Sequence, residues 1–502
     1  MYRSRTGESL DKDAFEFLSS AETDSHLLYY DILGSEAHLI MLHEIGILAP
    51  SNLEKLLSGL ERIRENPNIL STEKFEDIHE CVEAQLISEL GYEVGGTLQT
   101  ARSRNDQVIL DIRMMVRDFT NNTSQAVVRF ISALLSKSKD NFHSIMPMYT
   151  HLQQAQLGTF SHFLLSYVDT LFRDLDRLNG MYNRINNSPL GACAIGGTSI
   201  NINRERTASL LGFKGVINNS IDATSSRDDL IEFVSTLSIL MLNLSRIVED
   251  FILWSTIEFG YVEIPDKYSS TSSLMPQKKN PDTLELIRAK TGMVSSNLFA
   301  IMSIIKGLPS GYSRDLQEIK PGIINSTCTV LDSLVILAGL VVNLKINNKR
   351  MKEAADNSYA ISVDIAERLV IEKRISFRSA HIIVGTLVKR AVAQGNIPLS
   401  KLTEHEIRSV LVKTDFQIEP RELVAIIQDT TPERSIESRL SLGSPSLHQQ
   451  QENISLRDEK KRRHEEQISE RESDVASAFS CLLQIVNNFK KVGQSGQTGL
   501  SH

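Results

Sequence analysis

Apolar positions along this chain recur mostly with helical spacing. From Leu230 onward, Leu230, Val234, Leu237, Met241, Leu244, Val248 and Phe251 alternate four and three residues apart, a stripe that can pack along a partner helix. Positions between them, such as Ile231, Phe233, Ile239, Leu240, Leu242 and Ile247, are also apolar, which predicts a helix covered on several sides. Similar stretches at 160–178, 293–305 and 329–344 predict a bundle of long helices in the middle of the chain, with packing that continues across subunits. Strand-like alternation is scarce, and Pro189-Leu-Gly-Ala-Cys-Ala-Ile-Gly-Gly197 reads as a loop or short ribbon. The predicted fold class is all-α, in three mainly helical domains. Boundaries are placed near Gln107 and near Asn347, where Asn347-Asn-Lys-Arg-Met-Lys352 turns sharply polar. They give an N-terminal helical domain (1–107), a central long-helix bundle (108–347) and a C-terminal helical domain (348–502). Within the last, 449–474 is crowded with charge and reads as a solvated helix, apolar spacing returns over 475–489, and the Gly/Ser-rich end from Gly493 reads as disordered.

Composition narrows the classes. At 502 residues the chain exceeds what one core serves, and 41% hydrophobic with only 6% aromatic residues predicts a mostly aliphatic interior. A net charge of −8 gives no basis for binding nucleic acid or an anionic membrane. The longest apolar run, 330–344, contains Asp332 and is about five residues short of the roughly 20 that cross a bilayer, so it reads as a buried helix. Cys81, Cys193, Cys328 and Cys481 form no C-x-x-C pair and lie near no histidine cluster. Neither a metal site nor a disulfide framework is predicted, no cofactor is called for, and a reduced cytoplasmic compartment is expected. The first eight residues lack the apolar core of a secretory signal.

Candidate chemistry concentrates in Ser272-Ser-Leu-Met-Pro-Gln-Lys-Lys-Asn-Pro-Asp282. Pro276 and Pro281 each remove a backbone donor and push the preceding residue from helical angles, which predicts a loop. Lys278 and Lys279 add positive charge, and Asn280 an amide that can donate to an oxyanion. Asp282 and Glu285 then open a helix whose dipole favours early carboxylates. On these residues alone, a solvated surface turn is as good a reading as a catalytic loop.

Three blocks change that balance: Thr100-Ala-Arg-Ser-Arg-Asn-Asp-Gln107, Tyr149-Thr-His-Leu-Gln-Gln-Ala-Gln156 and the loop above. In this order they resemble the signatures of the fumarase/aspartase superfamily, and their neighbours resemble its argininosuccinate lyase branch. Lesser similarity extends from Asp31-Ile-Leu-Gly-Ser35 to Phe377-Arg-Ser-Ala-His381. The resemblance implies a homotetramer with a shared helical core and sites built from three subunits. It implies elimination of a small-molecule substrate, argininosuccinate, to fumarate and arginine, with Ser272 as the base and Lys278 and Asn280 stabilising the carboxylate that gains charge. It pairs His151 with Glu285 to help the leaving nitrogen, although on local grounds His151 reads as a structural histidine in a polar helix-start segment. Ser103, Arg104, Asn105, Thr150, Gln153 and Arg227 are implied to bind substrate, with Ser35 and His79 on the pocket wall. Tyr312, Gln317 and Lys320 are implied to hold the amino-acid end. Gln99, Thr97, Ala101, Leu157 and Thr271 stand where the family usually has histidine, lysine, glycine, proline and glycine. The loss at 271 is expected to restrict loop angles that glycine adopts easily. Another fumarate-releasing lyase of the superfamily, and a non-catalytic crystallin-like protein, remain as alternatives.

Overall fold

The computed structural model describes residues 10–412 and 418–497, with side chains described through Lys490. Residues 1–8 and the end of the Gly/Ser-rich tail, 498–502, lie outside the described residues. The N-terminal helices α1 (Leu28–Glu44), α2 (Pro50–Glu65) and α3 (Ile78–Leu90) bury Leu39, Leu53, Leu57 and Leu86 in the same core as the central bundle.

The spine is α4 (Arg104–Asp140), 37 residues and so roughly 55 Å long. Ser103 caps it through Asn105 N, and the Asp106 carboxylate accepts from Ser103 N at 3.0 Å, a reciprocal box that fixes the helix start. Gln107, beside which the first domain boundary is placed, therefore lies in the first turn of α4.

After α4 comes an antiparallel hairpin, β1 (Ile145–Thr150) and β2 (Gln153–Thr159), closed by His151 and Leu152 at φ 55° and 56°. The helix start read at this block is thus incorrect. Pro147 lacks the donor a helix needs, and the left-handed pair supplies the twist of a two-residue hairpin turn.

The bundle continues through α5 (Phe160–Ile185), α6 (Asp228–Ser255), α7 (Asp282–Ile305) and α8 (Ile319–Asn343). Every position of the α6 stripe, Leu230 to Phe251, is buried. The cover expected on its other sides is incomplete within one chain, where Ile239 and Leu242 remain exposed, as do Met293 and Phe299 on α7 and Val335 and Val342 on α8. Two segments, Asp228–Ser255 and Arg314–Asn343, are long and apolar enough to cross a membrane. Each has half or more of its most apolar window buried, as core helices do. The apolar run at 330–344 is therefore the end of a longer helix than expected.

Between α6 and α7 a two-rung ribbon, β3 (Ser270–Thr271) and β4 (Lys279–Asn280), closes a flap over residues 272–278. Farther on, α9 (Ser362–Lys373), α10 (Phe377–Ala393) and α11 (Pro420–Asp429) enclose a core of their own around Leu369, Ile383, Leu387 and Leu423. The last helix, α12 (Leu447–Gln497), runs back along α4, α2 and α5. Its charged part is not a free solvated helix, because Ile454, Ile468, Val475 and Leu482, spaced by multiples of seven, are buried beneath the charges. The helix also continues past Gly493, where disorder was expected, to Gln497.

Candidate active site

A cavity of about 360 Å³ opens at the N-terminal end of α4. His79 comes from α3, Arg104 and Asn105 from the first turn of α4, and Tyr312, Gln317 and Lys320 from the segment entering α8. Its charges are paired across the walls. Lys320 meets Asp24, with side chains only 4% and 1% exposed; Arg104 Nη1 lies 2.5 Å from Asp77 Oδ2 and Arg314 Nη2 2.6 Å from Glu76 Oε2. Gln317 Nε2 donates to Leu18 O at 3.4 Å, and Asn105 Nδ2 to Ala194 O at 2.9 Å. Burial pushes the Tyr312 hydroxyl above its usual pKa, which keeps it a neutral donor. Burial alone would strip the proton from His79, but Asp31, followed by Asp111 and Asp77, outweighs it and raises the imidazole to about 9.

Three predicted residues sit behind this cavity, not on it. Ser35 is fully buried in α1 and accepts from Arg102 Nη1 at 2.9 Å, so its placement on the pocket wall is corrected. Ser103 is engaged as the cap of α4. Arg227, 2% exposed, donates to Thr224 O and Ser226 O, and burial lowers it to about 10.

The remaining predicted residues form a second group at the other end of the bundle. Thr150, His151 and Gln153 are exposed around the hairpin tip, beyond the C-terminal end of α4. Tyr149 Oη meets Tyr261 Oη at 2.5 Å, which ties the hairpin to the segment between α6 and the flap. Lys279 anchors that flap on Asp266 (2.6 Å) and Glu263 (3.3 Å). Asn280 Nδ2 donates to Ser270 Oγ at 3.4 Å, while Lys278 and Glu285 face solvent. Ser272 Oγ accepts from the backbone N–H of Met275 (3.0 Å) and Leu274 (3.3 Å), donors that favour the anion over the hydroxyl. Among the described residues neither His151 nor Glu285 forms an ion pair. The flap and the Tyr312 segment flank opposite ends of α7, whose 24 residues span roughly 36 Å. One chain therefore gathers His79, Arg104, Asn105, Tyr312, Gln317 and Lys320, and leaves Ser272, Lys278, Asn280, Glu285, His151, Thr150 and Gln153 elsewhere.

Sequence reasoning missed Ser20 and Asp24, which line the cavity beside Lys320. Ser19-Ser-Ala-Glu-Thr-Asp24 carries only the signal of a helix cap, and nothing in the spacing points to a Lys320 some three hundred residues away. The departures from the family pattern also sort differently. Thr271 sits in β3 and is not among the positive-φ residues, so the restriction expected there does not arise. Ala101 instead carries the left-handed φ, at 56°. Leu157 is fully buried in β2.

The family described as lyase matches residues 16–295, and the one described as argininosuccinate lyase C-terminal matches 359–436. The chain is 45% identical over 487 residues to the argininosuccinate lyase of Nitrosopumilus maritimus, covering 97% of this chain and 99% of that one. Identity to the argininosuccinate lyase of Methanocaldococcus jannaschii is 37% over 483 residues, covering 96% and 98%. Among solved structures, a variant of EDDS lyase with bound fumarate superposes with a TM-score of 0.87 at 28% identity, over 96% of this chain and 95% of that one.

Proposed function

The chain belongs to the argininosuccinate lyase family, and from that premise we propose how its residues divide the reaction. Its activity is the reversible elimination of argininosuccinate to fumarate and L-arginine, a carbon–nitrogen lyase reaction that completes arginine biosynthesis. The observation that best supports this branch of the superfamily is the cavity wall of Tyr312, Gln317 and Lys320 with Asp24 and Ser20. That mix of one amide, two hydroxyls and a paired cation and anion suits a zwitterionic amino-acid end, which fumarate alone lacks.

In this reading the amino-acid end of the substrate lies in the cavity and the succinyl end reaches the first turn of α4, where Arg104 and Asn105 supply donors. Ser272 removes the proton beside the succinyl carboxylate, the electrons move toward the carbon–nitrogen bond, and the guanidino nitrogen leaves with the arginine. Two backbone donors already on Ser272 Oγ stabilise its alkoxide. Lys278 and Asn280 offset the charge that gathers on the carboxylate, a role worth about 3 kcal/mol of barrier per well-placed donor. His151, paired with Glu285 of another subunit, assists the leaving nitrogen.

Such a division requires other copies of the chain, since no single protomer brings flap, hairpin and cavity together. We propose a homotetramer in which antiparallel packing of α6, α7 and α8 covers Leu242, Met293, Phe299 and Val335 and carries each flap to a neighbour's cavity. Four unpaired cysteines suit the reduced cytoplasm in which we place the enzyme. The test is fumarate release, followed by ultraviolet absorbance, from argininosuccinate, adenylosuccinate and aspartate in parallel. Release from argininosuccinate alone is expected; release only from another substrate would move the chain to a different branch.

A further inference from the structure

Each of Lys320, Arg104 and Arg314 in the cavity is paired with a wall carboxylate. His79 differs, because its partner lies behind the wall. Its Nδ1 is 3.1 Å from Asp31 Oδ1 on α1 and 3.6 Å from Asp111 Oδ2 on α4, in a site where all three side chains are 2% exposed or less. Nε2, on the far side of the ring, is buried and has no hydrogen-bond partner among the described residues, although His79 lines the cavity. An unmatched buried donor is costly, a penalty that a ligand in the cavity removes.

We propose that Asp31 is a positioning residue that holds His79 as an imidazolium, so that its Nε2–H bond is presented to the cavity as a cationic donor for a carboxylate of the substrate. Asp31 is itself held in place, since Gln107 Nε2 donates to the same Oδ1 that faces the imidazole. Around His79 the charged groups are Asp31 from α1, Asp111 and Arg104 from α4, Asp77 and Glu80 from its own helix, Asp24 from the turn before α1 and Lys320 from α8, with Arg102 beside Asp31. Asp24, Asp77 and Arg104 are tied up in pairs of their own. Among the described residues Asp31 alone hydrogen-bonds the imidazole, and it lacks a second cation at hydrogen-bond range, so its charge contributes most to holding the ring charged, ahead of Asp111 and Asp77. Asp31, His79 and Asp111 place ligand atoms within 4.8 Å of one another, a spacing that could also hold a cation. Gln107 donating into Asp31, and Arg102 close by, favour an internal ion pair instead.

The inference rests on the reading of the cavity as the substrate pocket, and its first test needs no substrate. Histidine labelled with ¹³C at Cε1 is titrated in the intact enzyme, with His79→Gln used to assign the signal. An imidazole still charged at pH 8 in the wild type, and losing its proton at least one pH unit lower in Asp31→Asn, is expected. A wild-type midpoint below 7, or a divalent metal retained stoichiometrically by the purified enzyme, would overturn the proposal. Steady-state kinetics supply the second test, because Asn preserves the shape of Asp31 and removes its charge. Loss of a charge-assisted bond raises KM for argininosuccinate by about tenfold or more at pH 8, with a smaller effect on kcat and a shrinking difference toward pH 6. An unchanged KM at pH 8 in a folded Asp31→Asn enzyme, or a loss equal at both pH values, would refute it. If argininosuccinate is not the substrate, the titration still decides the charge of His79.

Discussion

Lys320 and Asp24 form an ion pair with almost no solvent access, their side chains 4% and 1% exposed. Removing one partner strands the other charge in the interior. In Lys320→Met, the Asp24 carboxylate keeps, among the described residues, only the hydroxyl of Ser20, which donates to its Oδ2 at 2.6 Å. In Asp24→Asn, Lys320 keeps the Ser20 contact at 3.5 Å and faces a neutral amide oxygen in place of the carboxylate it pairs with. Breaking a buried pair in this way typically costs about 3–5 kcal/mol, whereas replacing both charges is often close to neutral. Each single variant is therefore expected to lose about 3–5 kcal/mol, and the double variant to regain at least about 2 kcal/mol of the sum. Urea unfolding followed by far-ultraviolet circular dichroism, at one fixed protein concentration, reads the cycle. Single losses under about 1 kcal/mol, or a double variant whose loss equals the sum of the two, would show that the pair is neither desolvated nor coupled. Asp24→Asn should also raise KM for argininosuccinate, because the cavity loses a carboxylate available to an ammonium group.

Ala101→Gly should stabilise the protein by about 1 kcal/mol, the penalty of a left-handed alanine, and a lower melting temperature would refute strain at this turn. His38 is fully buried and held down to about 3 by burial and by Arg102, with Nε2 against Thr100 O at 2.8 Å. As pH falls below about 6.5 the unfolded chain takes up a proton that the folded one refuses, so stability should drop by up to about 1.4 kcal/mol per pH unit, and His38→Asn should flatten that slope between pH 6 and 4. Stability curves with the same slope in both proteins would contradict this. Tyr312→Phe and Gln317→Ala should weaken turnover of argininosuccinate more than any slow reaction of truncated succinyl amines, and equal losses on both would remove their role in specificity.

The long helices were legible because burial imposes a period: every apolar residue of the stripe from Leu230 to Phe251 lies inside. The hairpin was not, since Tyr149 to Gln156 carries too few apolar residues to show a period of two, and its register rests on the backbone of His151 and Leu152. Residues 449–474 misled for the opposite reason, as one buried position in seven is swamped by the charges that cover it. The site motifs marked which residues matter chemically but not where they lie. Ser272 and Tyr312 are forty residues apart in sequence, yet the whole of α7 stands between them. Ser20 and Asp24 were hidden because their partner is a lysine some three hundred residues along the chain. Ser35 resembled a wall residue only while the direction of its side chain was unknown.

The most direct test of the proposed mechanism is Ser272→Ala assayed for fumarate release from argininosuccinate, with assembly followed by sedimentation and binding by calorimetry. Turnover should vanish while the assembled enzyme still binds substrate with nearly unchanged affinity. Wild-type turnover in that variant would show that another group takes the proton.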